Sequence, residues 1–423
     1  MRNDRTKRAE STDKEKSESR AAELAQSGVS RRDFLGSCAR TVGAVTVAGL
    51  TGVSWGAGGR LGAAPSAERT GGPEDTANGS GSVNADRREH EARWYSRRAN
   101  ADVRCELCPR GCVIGVSERG ACRVRENRGG TLYSLVYGRP AMIQADPVER
   151  APFFHVQPGS RMLAVATAGC PLACSFCEVW DIALVDPEEI HSYDALPEAV
   201  VEQAVSIGAG AVSYAFGEPI AFAEYVLDTA RLARKRGLLN LLHTSGYFAE
   251  QPLGEILEYI DAVNIDLKAF DGELYRRYVG GDLEPVLRTM RAIRAAGVHL
   301  EITNLVIPTV NDAPSDVRTM CRWIRDELGP DVPVHFARFY PLYKLANLPP
   351  TPVKSLDTAR RIALEEGLEH VYVARVTGHE GENTFCPACG STVINRLGFV
   401  IEEMNITDGA CAACGRRIGG LWA

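Results

Sequence analysis

"MLAVATAGCPLACSFC", residues 162–177, joins an apolar run to three cysteines, and the architecture is read outward from that junction. Met162 to Gly169, "MLAVATAG", is short, largely apolar and ends in a glycine, the pattern of a buried strand. Cys170, Cys174 and Cys177 follow at CxxxCxxC spacing. The change of texture then recurs. "LPEAVVEQAVSIGA" puts Leu196, Val200, Val201, Ala204 and Val205 on one helical face. After it "AVSYAF", "LNLLHTS", "AVNIDLK", "HLEITNLVI", "PVHFARF" and "HVYVAR" alternate with amphipathic stretches. Gly237 and Gly297 stand where such helices need a left-handed cap. Repeated strand–helix alternation calls for a parallel sheet, either a complete or incomplete TIM-like barrel or a doubly wound sheet. In both, function gathers at the carboxyl ends of the strands, which is where the three cysteines fall.

The chain has 423 residues and a net charge of −6, enough length for a sizeable core and no electrostatic footprint for nucleic acid. Its 13 cysteines are clustered. Besides the central three, Cys105, Cys108, Cys112 and Cys122 form one group and Cys386, Cys389, Cys411 and Cys414 another; Cys38 and Cys321 stand apart. Short CxxC-like spacings in a chain of this size read as metal ligands made in a reducing compartment rather than a disulfide framework. Cys321, on an amphipathic stretch, reads as a small core hydrophobe.

The amino terminus points elsewhere. "SRRDFLG", residues 30–36, precedes "TVGAVTVAGLTGVSWGAG", and the pair reads as a twin-arginine export signal, too glycine-rich for a stable membrane span. Residues 56–87 have the composition of a disordered linker. "RREHEARWYSRRA", residues 87–99, is expected to be helical. The expected division is leader and linker over 1–92, a cysteine-rich module over 93–155, a β/α core over 156–378 and a second cysteine-rich module over 379–423.

A complete [4Fe–4S] cube takes four thiolates, so three leave one iron with an open position. A zinc site completed by a distant His or Asp, and a fully ligated structural cluster, are compatible with the same spacing. Placement of the cysteines directly after a strand favours the open cluster.

These residues resemble the radical S-adenosylmethionine (SAM) superfamily. The resemblance implies an incomplete (β/α)6 TIM-like barrel in which Cys170, Cys174 and Cys177 hold a [4Fe–4S] cluster. It also implies that SAM chelates the open iron and is split by one electron to a 5′-deoxyadenosyl radical that abstracts hydrogen. Companion motifs extend it. Phe176 precedes the last cysteine. "AFGEPI" resembles a Gly-Gly-Glu element, implying that Gly217 admits SAM and Glu218 takes its ammonium. "HTSGY" offers Thr244 or Ser245 to the ribose. "NIDLKAF" resembles the Asp-Leu-Lys of activating enzymes, with Lys268 toward the SAM carboxylate and Asp266 beside it. "PVHF" puts His335 at a strand mouth as a SAM-contacting histidine, with an unligated core histidine as the rival. Asn311 and Asp312 of "IPTVNDAPSD" match a family turn or serve as loop and capping residues.

The ordered set from "CELCPRGCVIGVSERGACRVREN" through "LYSLVYGRP", "DPVERAPFFHVQPGS" and "PTPVKSLDTAR" to "EGENTFCPACG" and "CAACGRRIGGLW" resembles the AmmeMemoRadiSam branch, related to pyruvate formate-lyase activating enzymes. That implies hydrogen abstraction on a protein partner, Memo-like or AMMECR-like, with a low-potential electron donor of flavodoxin or ferredoxin type. Modification of a small molecule, and a non-catalytic iron–sulfur or zinc protein, are the alternatives. One departure stands out: Glu178 and Val179 follow the last cysteine, where the family reads Cys-Gln-Asn-Trp. The carboxyl-terminal cysteines have zinc-ribbon spacing, and four thiolates staple a module too small for its own core. For the amino-terminal four, structural zinc and an auxiliary iron–sulfur cluster are equally compatible. Location is divided: the leader suggests export or membrane association, whereas SAM chemistry favours the cytoplasm.

Overall fold

Eight strands make the central sheet of the computed structural model, which describes residues 89–422. They are β1 (Met142–Pro147), β2 (Arg161–Ala166), β3 (Ala211–Tyr214), β4 (Leu239–Thr244), β5 (Ala262–Asp266), β6 (His299–Val306), β7 (Val334–Arg338) and β8 (Val371–Ala374). Each lies beside its neighbours in chain order; β1 is antiparallel to β2 and the rest are parallel. A doubly wound sheet must reverse its strand order at a switch point. This one never reverses, and β1 and β8 do not pair, so the architecture is an incomplete barrel.

The crossovers are α1 (Pro197–Ser206), α2 (Ala223–Lys235), α3 (Glu250–Leu257), α4 (Leu283–Ala295), α5 (Pro314–Glu327) and α6 (Val353–Glu365). Pro197 and Pro314 open their helices, where a missing N–H costs nothing. Each helix buries one apolar stripe on the sheet; α2 contributes Tyr225, Val226, Leu227, Ala230 and Ala233. Gly237 and Gly297 have φ of 75° and 72°, the left-handed caps expected of them. Cys321 is fully buried on α5, as a core hydrophobe should be.

The amino end of the barrel is filled by the chain between β1 and β2. Glu301, on β6, accepts hydrogen bonds from the backbone N–H groups of Phe154 and His155 at 3.0 and 2.9 Å. His155 Nδ1 lies 2.6 Å from the Gly419 carbonyl oxygen, and Leu421 exchanges backbone hydrogen bonds with His155 and Gln157. The carboxyl-terminal tail is thereby sewn to the barrel floor. The expected boundary at 155/156 therefore needs correction: β1, placed by sequence in the first cysteine-rich module, is an edge strand of the central sheet.

A second correction concerns residues 87–99. Instead of a helix, His90–Glu91 and Tyr95–Arg97 are short strands, pairing with Thr131–Ser134 and Val103–Cys105 respectively. Distant partners hold them there: His90 stacks on Tyr137 at 3.5 Å, and the Arg93 N–H donates to Glu224 at 2.7 Å. Arg125 of this module forms a buried ion pair with Glu224 of α2. At the other end, Thr384–Phe385, Thr392–Leu397 and Val400–Met404 form a small antiparallel sheet. The expected export signal and the linker read over residues 56–87 lie outside the described residues. Among those described, no helix is long and apolar enough to cross a membrane.

Candidate functional site

The loop after β2 is forced into shape by glycine. Gly169 has φ +99°, and a Cβ there would stand 2.7 Å from the Val124 side chain and 2.9 Å from the Cys122 carbonyl oxygen. Beyond it, Ala173 N–H donates to the Val279 carbonyl at 3.0 Å and Ser175 N–H to that of Tyr278 at 2.8 Å. Those acceptors belong to a π-turn over Tyr275–Val279, an element found often at functional sites. Gly281 follows it, where a Cβ would lie 2.6 Å from Leu172 Cδ2. The three cysteines are thus held by backbone close approach on both sides.

They open onto a cleft at the carboxyl end of the barrel. Phe176, Gly217, Glu218, Thr244, Ser245, Asp266 and Lys268 line the same cleft. Glu218 is 4 % exposed and accepts from Thr244 Oγ1 at 2.6 Å, from Ser245 N–H at 3.0 Å and from Ile220 N–H at 3.3 Å. Gly217 presses on the end of β2, its would-be Cβ 3.1 Å from Ala166 Cβ. Lys268 Nζ donates to Asp266 Oδ2 at 3.0 Å, and His243 Nε2 reaches Oδ1 at 3.0 Å. Burial alone would lower the Lys268 ammonium's pKa, but the Asp266 carboxylate holds it well above the ordinary lysine range. Burial alone would raise Asp266; Lys268 and His243 hold it below the usual carboxylate range. Phe176 offers its ring to the Lys268 ammonium at 5.9 Å.

Two features of the cleft ask for a ligand. Ser245 Oγ is buried without a hydrogen-bond partner, a costly state for a hydroxyl. Burial pushes the Cys174 thiol up to about 12 and raises Cys170 and Cys177 as well. Buried thiols disfavour the thiolate unless a metal charge reverses the balance. Among the cleft's lining residues these three are the cysteines, so the donor set fits a cluster with one iron left for another ligand.

The structure does not bring His335 to the cleft, contrary to the expectation from "PVHF". It is the second residue of β7, fully buried, with Nε2 2.6 Å from Glu301 Oε2 and its ring edge-on to Phe154. Phe154 lines the cleft in its stead. Asn311 lies under the site: its Nδ2 donates to the carbonyls of Lys268 and Leu305, each at 2.8 Å. Asp312 caps its own turn by accepting from Thr309 N–H at 2.8 Å.

Three participants are not among the site residues read from the sequence, although Glu149 lies within "DPVERAPFFHVQPGS". Arg375, just past β8, pairs with Glu178, so the departure from the family pattern has a cation facing it across the open side of the barrel. Glu149 lines the cleft with Oε2 unpartnered, and burial pushes its carboxyl up to about 7. Phe399, from the tip of the carboxyl-terminal hairpin, closes part of one wall. For Arg375 the available signal was position: it follows the last strand of the β/α series, where barrel function gathers.

The two outlying cysteine groups differ in geometry. The sulfurs of Cys386, Cys389, Cys411 and Cys414 all lie within 4.8 Å of one another, with Cys386–Cys414 at 3.6 Å and Cys389–Cys411 at 3.8 Å. Tetrahedral bonds of about 2.3 Å to one ion put sulfurs about 3.8 Å apart, so this set fits a single metal. Cys105, Cys108, Cys112 and Cys122 line a small cavity of their own and do not form such a single-ion group.

Residues 165–324 match the family model described as Radical SAM superfamily. The chain is 40% identical over 330 residues to an uncharacterised protein of Methanocaldococcus jannaschii, covering 78% of this chain and 98% of that one. It is 25% identical over 228 residues to a pyruvate formate-lyase-activating enzyme of Clostridium pasteurianum, covering 51% and 92%. It is 27% identical over 175 residues to a pyruvate formate-lyase 1-activating enzyme of Escherichia coli, covering 40% and 70%.

Proposed function

The chain belongs to the radical SAM superfamily and is an enzyme related to glycyl-radical activating enzymes, and on that premise we propose that it cleaves SAM reductively to abstract hydrogen from a protein partner. Cys170, Cys174 and Cys177 are the residues to hold the [4Fe–4S] cluster. With SAM bound, that cluster supplies one-electron cleavage of the sulfonium to a 5′-deoxyadenosyl radical. The chain's own residues bind and orient. Glu218 accepts the SAM ammonium, Lys268 meets its carboxylate, and Ser245 Oγ gains in the ribose the partner it lacks. Gly217 leaves room for backbone to approach, and Phe176 excludes water behind Lys268.

One observation carries this reading: a single cleft is lined by three cysteines, a buried glutamate and a lysine only 16 % exposed, with no fourth cysteine among its lining residues. The protein-partner class is supported by relatives named as activating enzymes and by Leu397, Phe399 and Val400, which stand 47 %, 48 % and 63 % exposed on the hairpin that ends at the cleft. Within the AmmeMemoRadiSam branch that partner is a Memo-like or AMMECR-like protein, and the electron donor is of flavodoxin or ferredoxin type. Zinc occupies the carboxyl-terminal thiol tetrahedron. The twin-arginine leader delivers the folded protein to the membrane, which fractionation of tagged protein checks.

The decisive experiment is anaerobic reconstitution with iron and sulfide, then dithionite and SAM. Formation of 5′-deoxyadenosine, absent in Cys174→Ala, is the expected result; no 5′-deoxyadenosine from the parent protein overturns the reading.

A further inference from the structure

We propose that Cys105, Cys108, Cys112 and Cys122 bind a second iron–sulfur cluster, packed against the loop that carries the first. The sequence left zinc and a cluster equally open for these four, and geometry separates them. A lone zinc ion gathers its thiolates to about 3.8 Å from one another. The carboxyl-terminal four meet that spacing, their sulfurs all lying within 4.8 Å of one another. Neither the amino-terminal four nor Cys170, Cys174 and Cys177 form such a single-ion group among the described residues. A four-iron cube binds each thiolate through a different iron, so its ligands stand further apart than those of one ion. The amino-terminal four therefore fall with the triad, outside the single-ion pattern, and only the tight group among the described residues has the spacing that suits one ion.

The cavity itself is furnished for such a group. All four cysteines are free thiols, and all four line one small, almost wholly apolar space. Arg125 also lines it, 1 % exposed, with Nε lacking any hydrogen-bond partner. An unpartnered buried N–H is expensive, and a cluster sulfur or thiolate is an acceptor for it. Four thiolates around a cube carry net negative charge, which the Arg125 guanidinium faces.

Its place in the molecule suggests what it does. Pro171 is in the wall of this cavity, and the neighbouring Cys170 is in the wall of the cleft. The Cys122 carbonyl packs so closely on Gly169 that no side chain fits there. Arg110, between two of the four cysteines, donates to the carbonyls of Pro171 and Gly280, clamping both sides of the triad loop. This part of the inference rests on the SAM-cleaving reading above. A low-potential ferredoxin- or flavodoxin-class donor gives one electron to the second cluster. That cluster passes the electron through the shared loop to the first and returns to its oxidised state.

The test begins with Cys174→Ala, reconstituted anaerobically as full-length protein. It is expected to keep about four irons and four sulfides per chain, with a reduced-cluster EPR signal that does not respond to SAM. A variant that holds no iron but carries zinc in both outlying cysteine groups overturns the proposal. The complementary Cys108→Ser/Cys122→Ser protein is expected to lose half the parent's iron. Its 5′-deoxyadenosine formation should persist with dithionite and fall more than tenfold with reduced flavodoxin; equal rates with both reductants refute the relay. If Cys174→Ala retains its cluster while the parent makes no 5′-deoxyadenosine, the cluster assignment stands and the SAM-cleaving reading falls. Should the double variant fail to fold, the metal count of Cys174→Ala still decides the assignment.

Discussion

Glu218 holds three hydrogen bonds from the protein, from Thr244, Ser245 and Ile220, which fix its carboxylate in one orientation before any ligand arrives. Such preorganisation is what a charged recognition group needs. Glu218→Gln removes the charge while keeping the shape. Hydrogen bonds to charged groups are worth about 1.5–3 kcal/mol, so SAM affinity should weaken about tenfold to a hundredfold, measured by equilibrium binding to the reconstituted protein. Unchanged affinity would remove Glu218 from the SAM site. Glu178 and Arg375 make a different case, because both are partly exposed. Exposed pairs contribute about 1 kcal/mol or less. Arg375→Ala should therefore lower stability only slightly and act chiefly on the cleft, where it removes a positive charge that faces Glu178. Adding Glu178→Gln should restore iron retention and SAM binding; a double variant no better than Arg375→Ala would show that the pair does not act through charge.

At the scale of elements, the triad loop is made by its neighbours as much as by its cysteines. It runs between Val124 and Cys122 on one side and the π-turn of Tyr275–Val279 on the other. Gly169→Ala requires a strained φ and displaces packed atoms, a combination that costs about 1–3 kcal/mol. The variant should melt lower and release iron faster, while its far-UV circular dichroism is retained; parent-like iron retention would show that the loop relaxes freely. The strands and crossover helices were legible because burial imposes period and length on each, and Gly237 and Gly297 marked two ends. Residues 87–99 were misread for the opposite reason. Their charges suggested a helix, but His90, Arg93 and Trp94 are held by Tyr137, Glu224 and Glu255, residues far along the chain. No local pattern encodes that.

The whole molecule is held at its floor by histidines. His370 is buried, and burial pushes its pKa down to about 4 from 6.5. Between those values the unfolded chain binds the extra proton, so this contribution is complete above pH 6.5 and is lost as pH falls toward 4. The loss amounts to about 3 kcal/mol at most. His370→Gln should flatten the fall in melting temperature over that range; an unaltered slope would exclude His370 as its source. At the carboxyl end, chelation should loosen the small module whose core is little more than Val393, Ile394, Ile418 and two of its cysteines. Trp422 packs on that core, so its fluorescence should change when zinc is removed and recover when it is restored; a fluorescence indifferent to zinc would mean that the thiol tetrahedron does not staple the module.

Sequence alone determined the strand–helix series, the three cysteines at its first turn and the motifs behind Glu218 and Lys268, because each is a local spacing that burial or ligand chemistry imposes on neighbouring residues. The tertiary structure decided the rest: that the sheet never reverses, that His335 belongs to the floor beneath Phe154, and that Arg375 meets Glu178 from 197 positions away. Which strand ends converge on one cleft depends on how the sheet curls, and that is set by packing between residues that no short stretch of sequence contains together.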